Sequence, residues 1–306
     1  MTIKTVTLLG ADGRLGPAVL KALVDSNFKV QVLKRASSTS PPNYPPGVTE
    51  TKIPDDFPAP SLESALKNQD ALIVTIPGTN TALQKKLADA AVKTGVARFI
   101  PADFGSVDSD SERAREWVPL YVDKYEFRGY LSALSEGNAG FSWTAVVCGH
   151  FFDYDPLWLH IDVGNRKADI LDEGDVPASA STMATIGLAV ARILGKADDE
   201  RTRNRTLFIQ SFCKTQMDVI RAFERATGDR FELKRIDGME FARERREEMR
   251  TGDVKAATED VVWVLGAYEA DWRQREGFAN ELLGLEEESL DDICKRIVEE
   301  PSMKRM

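Results

Sequence analysis

The sequence predicts an α/β fold, a doubly wound parallel sheet with a smaller α+β domain behind it. Three observations lead there. Through the first 150 residues, short apolar runs of strand length alternate with stretches of helical spacing. Repeated strand–helix–strand units of this kind build parallel sheets. A glycine-rich turn joins the first apolar run to the first helical stretch. The charge divides unevenly: residues 1–150 hold 16 basic and 16 acidic residues, whereas 151–306 hold 24 and 33 and carry the whole net charge of -9.

Each element has its own signature. Thr5–Leu9 is an apolar run that stops at glycine, as a buried parallel strand does. Leu15, Val19, Leu20, Leu23 and Val24 have helical spacing, and Val30–Leu33 is a second strand. Residues 36–47 are rich in Ser and Pro and form a loop. Val48–Ile53 alternates as a third strand, and Leu62, Ala65 and Leu66 mark a short helix. Ala71–Ile76 is a fourth strand stopped by Pro77-Gly78, followed by a helix over 80–94. Arg98–Ile100 is a fifth strand, 112–136 is mostly helical, and Trp143–Val147 is a sixth strand.

Beyond about residue 155 the pattern loosens. Helices are expected over 182–195, 215–227, 239–250, 257–274 and 288–299, with a short strand at Leu207–Ile209. The composition shift divides the chain into 1–154 and 155–306, with helix 182–195 packing back on the first sheet. Mixed charges over 240–250 read as a solvated helix face. Val261, Leu265, Tyr268 and Trp272 form a helical stripe, with Trp263 to one side, that either packs on the second domain or lids an apolar substrate. Glu286, Glu287 and Glu288 resemble an acid-rich helix start.

Composition excludes several classes. A chain of 306 residues, 42% hydrophobic and 29% charged, is long enough to bury a core without staples. Its acidic surface repels phosphate backbones, so no nucleic-acid partner is expected. Cys148, Cys213 and Cys294 are odd in number and widely spaced, and only His150 and His160 could add imidazoles. Neither a disulfide framework nor a metal site follows from that set. No apolar run approaches the ~18 residues of a membrane span, and no signal peptide is read at the start, so the expected setting is cytoplasmic.

Gly10-Ala11-Asp12-Gly13-Arg14-Leu15-Gly16 carries the chemistry. Its spacing is a variant of the dinucleotide fingerprint. The first glycine permits a tight turn, the second lets the backbone approach a pyrophosphate, and the third packs the helix against the sheet. Phosphates then meet free N–H groups at the helix N-terminus. The sheet is thus of Rossmann type, and Gly10, Asp12, Gly13, Arg14, Leu15 and Gly16 are candidate cofactor contacts, with Ile76 and Pro77 from the fourth strand's end. The second strand ends Lys34-Arg35-Ala36-Ser37-Ser38, with no acid to bond a ribose 2'-OH. Arg35 suits bidentate contact with a 2'-phosphate, with Ser37, Ser38 and Arg14 as helpers, and so favours NADPH/NADP+ over NAD. Otherwise Lys34 and Arg35 are solvated loop bases.

Four further segments extend the pattern: Gln84–Gly105, which ends VARFIPADFG, Lys124-Tyr125-Glu126-Phe127-Arg128, Thr144–Tyr154 (TAVVCGHFFDY) and Thr185-Ile186-Gly187. With the glycine motif and Arg35, they resemble the NmrA-like and isoflavone-reductase-like branch of the atypical short-chain dehydrogenases over about residues 3–235. Ala102 and Asp103 stand where that family has Ser and Glu, and Gly149 stands at its asparagine. The Gly149 change opens space for a different or bulkier substrate.

The resemblance implies that Lys124 lies near the nicotinamide, as general base, proton relay or ribose anchor. Base chemistry requires a pKa lowered from ~10.4 towards neutrality. Phe151 becomes a cofactor contact, and Tyr121, His150, Phe152 and Tyr154 become substrate contacts, each with core packing as the plainer alternative. Tyr121-Val122-Asp123-Lys124 is not the Tyr-x-x-x-Lys dehydrogenase motif, so Tyr121 is assigned no hydroxyl role. A proton, where needed, comes from Tyr121, Tyr154, His150 or water. The implied activity is NADPH-dependent reduction of an apolar cyclic or aromatic small molecule at C=C, C=O or C=N, with secondary metabolism as one setting the resemblance allows, by a monomer or homodimer. Rearrangement alongside reduction stays open. The alternative is a non-catalytic NADP(H)-sensing regulator that binds a protein partner; the lysine favours the enzyme.

Overall fold

Strands without polar alternation bury both faces, and the central sheet follows from that rule. The computed structural model describes residues 2–41, 43–252 and 254–300. The chain begins β1 (Thr5–Leu9), α1 (Gly16–Asp25), β2 (Lys29–Arg35), β3 (Thr49–Ile53), α2 (Ala59–Leu66), β4 (Ala71–Val74), α3 (Thr81–Thr94) and β5 (Arg98–Ile100). It continues α4 (Glu112–Trp117), α5 (Pro119–Gly137), β6 (Ser142–Val147), β7 (His150–Phe151), β8 (Ile161–Asp162), β9 (Lys167–Leu171), β10 (Ala178–Ser181) and α6 (Met183–Gly195). The rest is β11 (Arg205–Phe208), β12 (Phe212–Lys214), α7 (Gln216–Thr227), β13 (Glu232–Ile236), α8 (Gly238–Thr251), α9 (Val254–Glu269), α10 (Asn280–Leu283) and α11 (Leu290–Glu299).

β4, β5 and β6 are buried at every residue. They belong to a seven-stranded sheet of order β11-β6-β5-β4-β1-β2-β3. Every pair from β6 to β3 is parallel. The chain runs outward from β1 to β2 and β3, then returns to β4 on the other side. The order therefore reverses between β1 and β4, and ligands of open α/β sheets bind at such a reversal, beyond the strands' C-terminal ends.

Two compact units share the chain, and their segments interleave. The first takes residues up to Phe104, Val122–Val146 and Ala184–Leu207, and the second takes Gly105–Tyr121, Val147–Met183 and Phe208 onward. The single boundary expected at residue 154 is thus corrected. The sheet draws β11 from far along the sequence, and a composition shift cannot register such a return. Within the first unit α6 lies against α1: a Cβ on Gly187 would stand 2.5 Å from the Ala18 carbonyl oxygen. The third glycine-bearing segment of the family pattern is thus a close helix contact.

Arg98 ties the far edge of the sheet together. It is fully buried, and its hydrogen bonds go to neutral oxygens. Nε donates to Ser142 Oγ at 2.9 Å, Nη1 to Thr144 Oγ1 at 2.8 Å and the Thr202 carbonyl at 3.0 Å, and Nη2 to the Ala197 carbonyl at 3.0 Å. Burial lowers its pKa to about 10, Arg203 adding repulsion, so it stays charged at neutral pH.

The second unit holds two three-stranded sheets, β12-β10-β7 and β13-β9-β8. These strands run two to five residues, and only β12 through β13 lie in a segment with helical punctuation. The loose pattern beyond residue 155 concealed them because strands this short carry no countable period. Phe152, Phe212 and Phe223 centre its core, with Phe152 edge-on to Phe212 at 4.8 Å. α8 buries only Gly238 and Ala242, as a solvated helix should. α9 stops at Glu269, short of the expected 274. Val261 and Leu265 therefore pack with Tyr121, while Trp272 joins a separate cluster with Val147 and Phe208. Trp263 is buried, not set aside. α11 starts after the three glutamates, with Ser289 as its cap. Gln210 and Thr182 instead donate to Glu287 and Glu288 at 2.8 and 2.6 Å. Among the described residues no helix is long and apolar enough to cross a membrane.

Replacing Arg98 with Met removes the donor to Ser142 Oγ, Thr144 Oγ1 and the Ala197 carbonyl, while the Thr202 carbonyl keeps the Thr144 hydroxyl at 2.6 Å. The loss is expected to cost about 3 kcal/mol, read as a lower urea midpoint. An unchanged midpoint would show that the network contributes nothing to stability.

Candidate functional site

The glycine turn is built by close approach. Gly10 has φ +98°, and a Cβ there would stand 2.7 Å from Thr75 Oγ1 and 2.9 Å from the Thr75 carbonyl carbon. Only glycine combines that backbone with that contact. Thr75 fixes the distance, since its amide and hydroxyl both donate to the Leu9 carbonyl, at 2.8 and 3.1 Å. The Gly13 amide donates back to the Gly10 carbonyl at 3.0 Å. A Cβ on Gly16 would lie 2.1 Å from that same carbonyl oxygen, so the first turn of α1 packs directly on the loop. Leu15, buried at the N-cap, supplies no side-chain cap. The N–H groups that open the helix are therefore not taken by a capping side chain.

Beside this turn lies a cleft of about 740 Å³. That volume falls within the range of small-molecule and cofactor sites. Gly10, Asp12, Gly13, Arg35, Ile76 and Pro77 line it, as the sequence leads one to expect. Leu15 and Gly16 hold the turn from beneath and do not line the cleft. Arg14 is exposed and also outside the lining.

The far end of the cleft differs from the expectation in two respects. Ser37 is turned to Asp55: its hydroxyl donates to that carboxylate, and its amide does so at 3.0 Å. These bonds hold the Asp55 pKa below the usual carboxylate range. Ser38 and Ser40 line the cleft in its place. Lys34, read as a solvated base, is buried. Its Nζ lies 2.8 Å from Asp12 and 3.5 Å from Glu50, and donates to the Ser40 carbonyl at 3.0 Å. Burial works against its charge, but the Asp12 carboxylate and the Tyr44 hydroxyl outweigh that and hold its pKa above the ordinary lysine value. The Lys-Arg pair is thus split by strand alternation. Lys34 turns inward, and Arg35 is exposed with a guanidinium that makes no hydrogen bond or ion pair among the described residues. Lys86, which lines the cleft, and Tyr44, which bonds Asp12, also went unread in the sequence, because nothing local marks a helix lysine or a loop tyrosine for such a place.

Lys124 sits on α5, one helical turn before Arg128, so the two share a face. Lys124 is buried, and its Nζ donates to the Asp103 carbonyl. Arg128 Nε donates to Asp103 Oδ2 at 2.6 Å. Asp103 thus holds the lysine with its backbone and the arginine with its side chain. The buried Ala102 amide donates to Gln84 Oε1 at 2.9 Å and pins this segment to α3.

The remaining candidates belong to the second unit. Tyr121 is fully buried among Val107, Ala114, Val118, Val261 and Leu265. Phe152 is buried in the aromatic core. Phe151 pairs with Ser181 across β7 and β10. Tyr154 packs on Trp158 at 5.3 Å. His150 lies against α9, where a Cβ on Gly266 would come within 2.1 Å of its Nε2. With Phe152 it borders a cavity of about 60 Å³, room for a few waters and not for a cyclic substrate. Burial lowers the His150 pKa to about 4, opposed by the Trp263 carbonyl. Tyr121, His150 and Phe152 thus sit in packing positions. No cluster of three or more His, Cys, Asp or Glu able to hold a metal occurs among the described residues.

A model of the NmrA-like family matches residues 2–251. The chain belongs to that family. It is 36% identical over 304 residues to the Aspergillus flavus oxidoreductase aprR, covering 97% of this chain and 99% of the relative. AtPrR2 with NADP+ and (+)pinoresinol has the same fold, with a TM-score of 0.77 at 20% identity over 96% of this chain and 98% of that one. A crystal structure of isoflavone reductase gives a TM-score of 0.75 at 20% identity, covering 97% of this chain and 100% of that one.

The chain's two histidines give opposite pH dependences. His160 stacks on Trp263 at 3.7 Å between Asp169 and Asp260, at 3.0 and 3.1 Å. Burial opposes its charge, but the two carboxylates raise its pKa above 6.5. Its stabilisation is full below 6.5 and is lost as pH rises through the raised value. The His150 pKa is depressed, so its contribution is lost as pH falls from 6.5 through about 4. His160→Gln is expected to flatten the alkaline side of the urea-midpoint profile, and His150→Gln the acid side. Profiles parallel to wild type would refute both assignments.

Proposed function

We propose that this chain is an NADPH-dependent reductase acting on an apolar cyclic or aromatic small molecule at a C=C, C=O or C=N bond. The observation that carries the cofactor reading is the cleft itself. A glycine turn whose first and third glycines leave no room for a Cβ borders it, and the exposed Arg35 lines it too. The residues present fit a dinucleotide phosphate. Gly13 leaves the turn open, the start of α1 lacks a side-chain cap, and Arg35 offers a planar fork suited to a 2'-phosphate. The relatives support the same reading, since one is named an oxidoreductase and one structural neighbour carries NADP+.

When bound, the cofactor supplies the hydride. This chain supplies orientation and proton handling. The turn and Arg35 fix the phosphate ends, and Ile76 and Pro77 form part of the cleft wall. Lys124 is the proton-handling residue, holding or passing a proton at Nζ. The Asp103 carbonyl accepts from that atom and so limits its reach to one direction. Metabolite reduction at an apolar ring accords with the family's reductases, but Gly149 does not open the substrate space that its replacement of an asparagine suggests. That glycine's own geometry is strict: at φ +69° a Cβ would fall 2.0 Å from the Ser179 carbonyl oxygen, so no asparagine fits this backbone.

Two variants test the reading. Arg35→Glu is expected to weaken NADPH binding by about 100-fold while changing NADH binding far less, because it sets a like charge against the 2'-phosphate. Calorimetric titration reads it, and equal affinities in wild type and variant would remove the NADP assignment. With substrates found among enones, ketones and cyclic imines, Lys124→Ala should lower turnover by about 100-fold or more with the cofactor still bound. Full turnover in that variant would end the catalytic assignment. Tight NADPH binding with no turnover on a broad panel would instead favour a cofactor-sensing regulator.

A further inference from the structure

The glycine turn that must receive a phosphate carries a carboxylate, Asp12, the only acid in residues 10–16. An uncompensated carboxylate there would repel the ligand. The structure shows how it is compensated. Lys34 Nζ stands 2.8 Å from Asp12 Oδ2, and the Tyr44 hydroxyl donates to the same carboxylate at 2.9 Å. The Lys34 ammonium is enclosed, its side chain 4% exposed, with the Tyr44 ring 5.3 Å away on one side and the Ser40 carbonyl accepting from it on another. Glu50 Oε2, buried and without a hydrogen-bond partner, lies 3.5 Å from it.

We propose that the Lys34–Asp12 pair sets how well this cleft accepts a phosphorylated cofactor. Lys34 cancels the charge of the turn's carboxylate, which leaves Arg35 as the open cation for a 2'-phosphate. The inference rests on the reading that the cleft binds NADPH. It adds that Lys34 governs phosphate preference through Asp12, and that Asp12 restrains binding. The lining carries three acids, Asp12, Asp55 and Asp56, against three bases, Lys34, Arg35 and Lys86. The charges balance, so loss of either member of the pair tips the field, and the two losses tip it in opposite directions.

The sign is the test. Calorimetry on the full chain would measure NADPH, NADH, adenosine 2',5'-bisphosphate and AMP against wild type, Lys34→Met, Asp12→Asn and the double variant. Lys34→Met is expected to weaken NADPH and the bisphosphate by about tenfold, and NADH and AMP by less than about threefold. Asp12→Asn, which frees the ammonium for the ligand, is expected to tighten NADPH and the bisphosphate by about threefold or more. The double variant should fall between the two. A thermal melt checks folding; if Lys34→Met does not fold, the partly exposed Asp12 still carries the sign test. Weaker or unchanged NADPH binding in Asp12→Asn would overturn the proposal, as would equal losses of NADPH and NADH in Lys34→Met. Those results in a wild type that prefers NADPH would sink only this inference. A wild type that binds none of the four nucleotides would sink the cofactor reading with it.

Discussion

The first unit depends on one close approach, that of the Gly10 backbone to Thr75 and of Gly16 to the Gly10 carbonyl. β1 and β4 are parallel neighbours, and their C-terminal ends must diverge to leave a cleft. The turn leaves β1 at φ +98° and stays pressed on Thr75, so α1 starts immediately beside the strand. That placement points the uncapped helix start at the cleft and sets Asp12 and Gly13 on its rim. A single Cβ at either glycine would push the helix off the sheet by more than a side chain can absorb.

Arg98, Arg128 and Lys34, three of the buried cations in this unit, show how environment decides what a charge does. Arg98 donates to neutral oxygens, and their number suffices for a planar donor with five N–H groups. It therefore acts as a strut between β5, β6 and the 197–202 segment. Arg128 has a carboxylate, and its pairing orients Asp103. Lys34 has two carboxylates within 3.5 Å and an aromatic ring beside it, and so takes charge away from the turn. Arg35 differs because it is exposed and its guanidinium makes no hydrogen bond among the described residues, and that is the state in which a guanidinium can recognise a ligand phosphate.

Much of the site was legible in the sequence, for a specific reason. Glycine spacing encodes backbone conformation directly, so Gly10, Gly13 and Gly16 declared their turn before any coordinates. The end of β2, with a base and no acid, likewise marked Arg35 as the candidate for a cofactor phosphate. What local sequence could not announce was which of two adjacent bases would face inward. Lys34 and Arg35 look equivalent on paper and differ only by the pleat. Ser37 was misread for a similar reason, because Asp55, 18 residues away, claims its hydroxyl. The aromatic candidates near residue 150 illustrate the opposite ambiguity. A Phe or Tyr at strand spacing serves a pocket or a core equally well, and in this chain Phe152 and Tyr121 went to the core.

By itself the sequence determined the parallel sheet, its order of strands and helices, the glycine turn and the absence of an acid at the end of β2. These follow from periodicity and from residues whose backbone freedom is unique. The tertiary structure decided the rest. It interleaved the two units, since β11 joins a sheet begun nearly 200 residues earlier. It made short strands of segments too brief to show a period. It also chose the partners of Lys34, Lys124 and Arg98, because a buried charge takes its role from groups brought near by folding, and those groups lie tens of residues away in the chain.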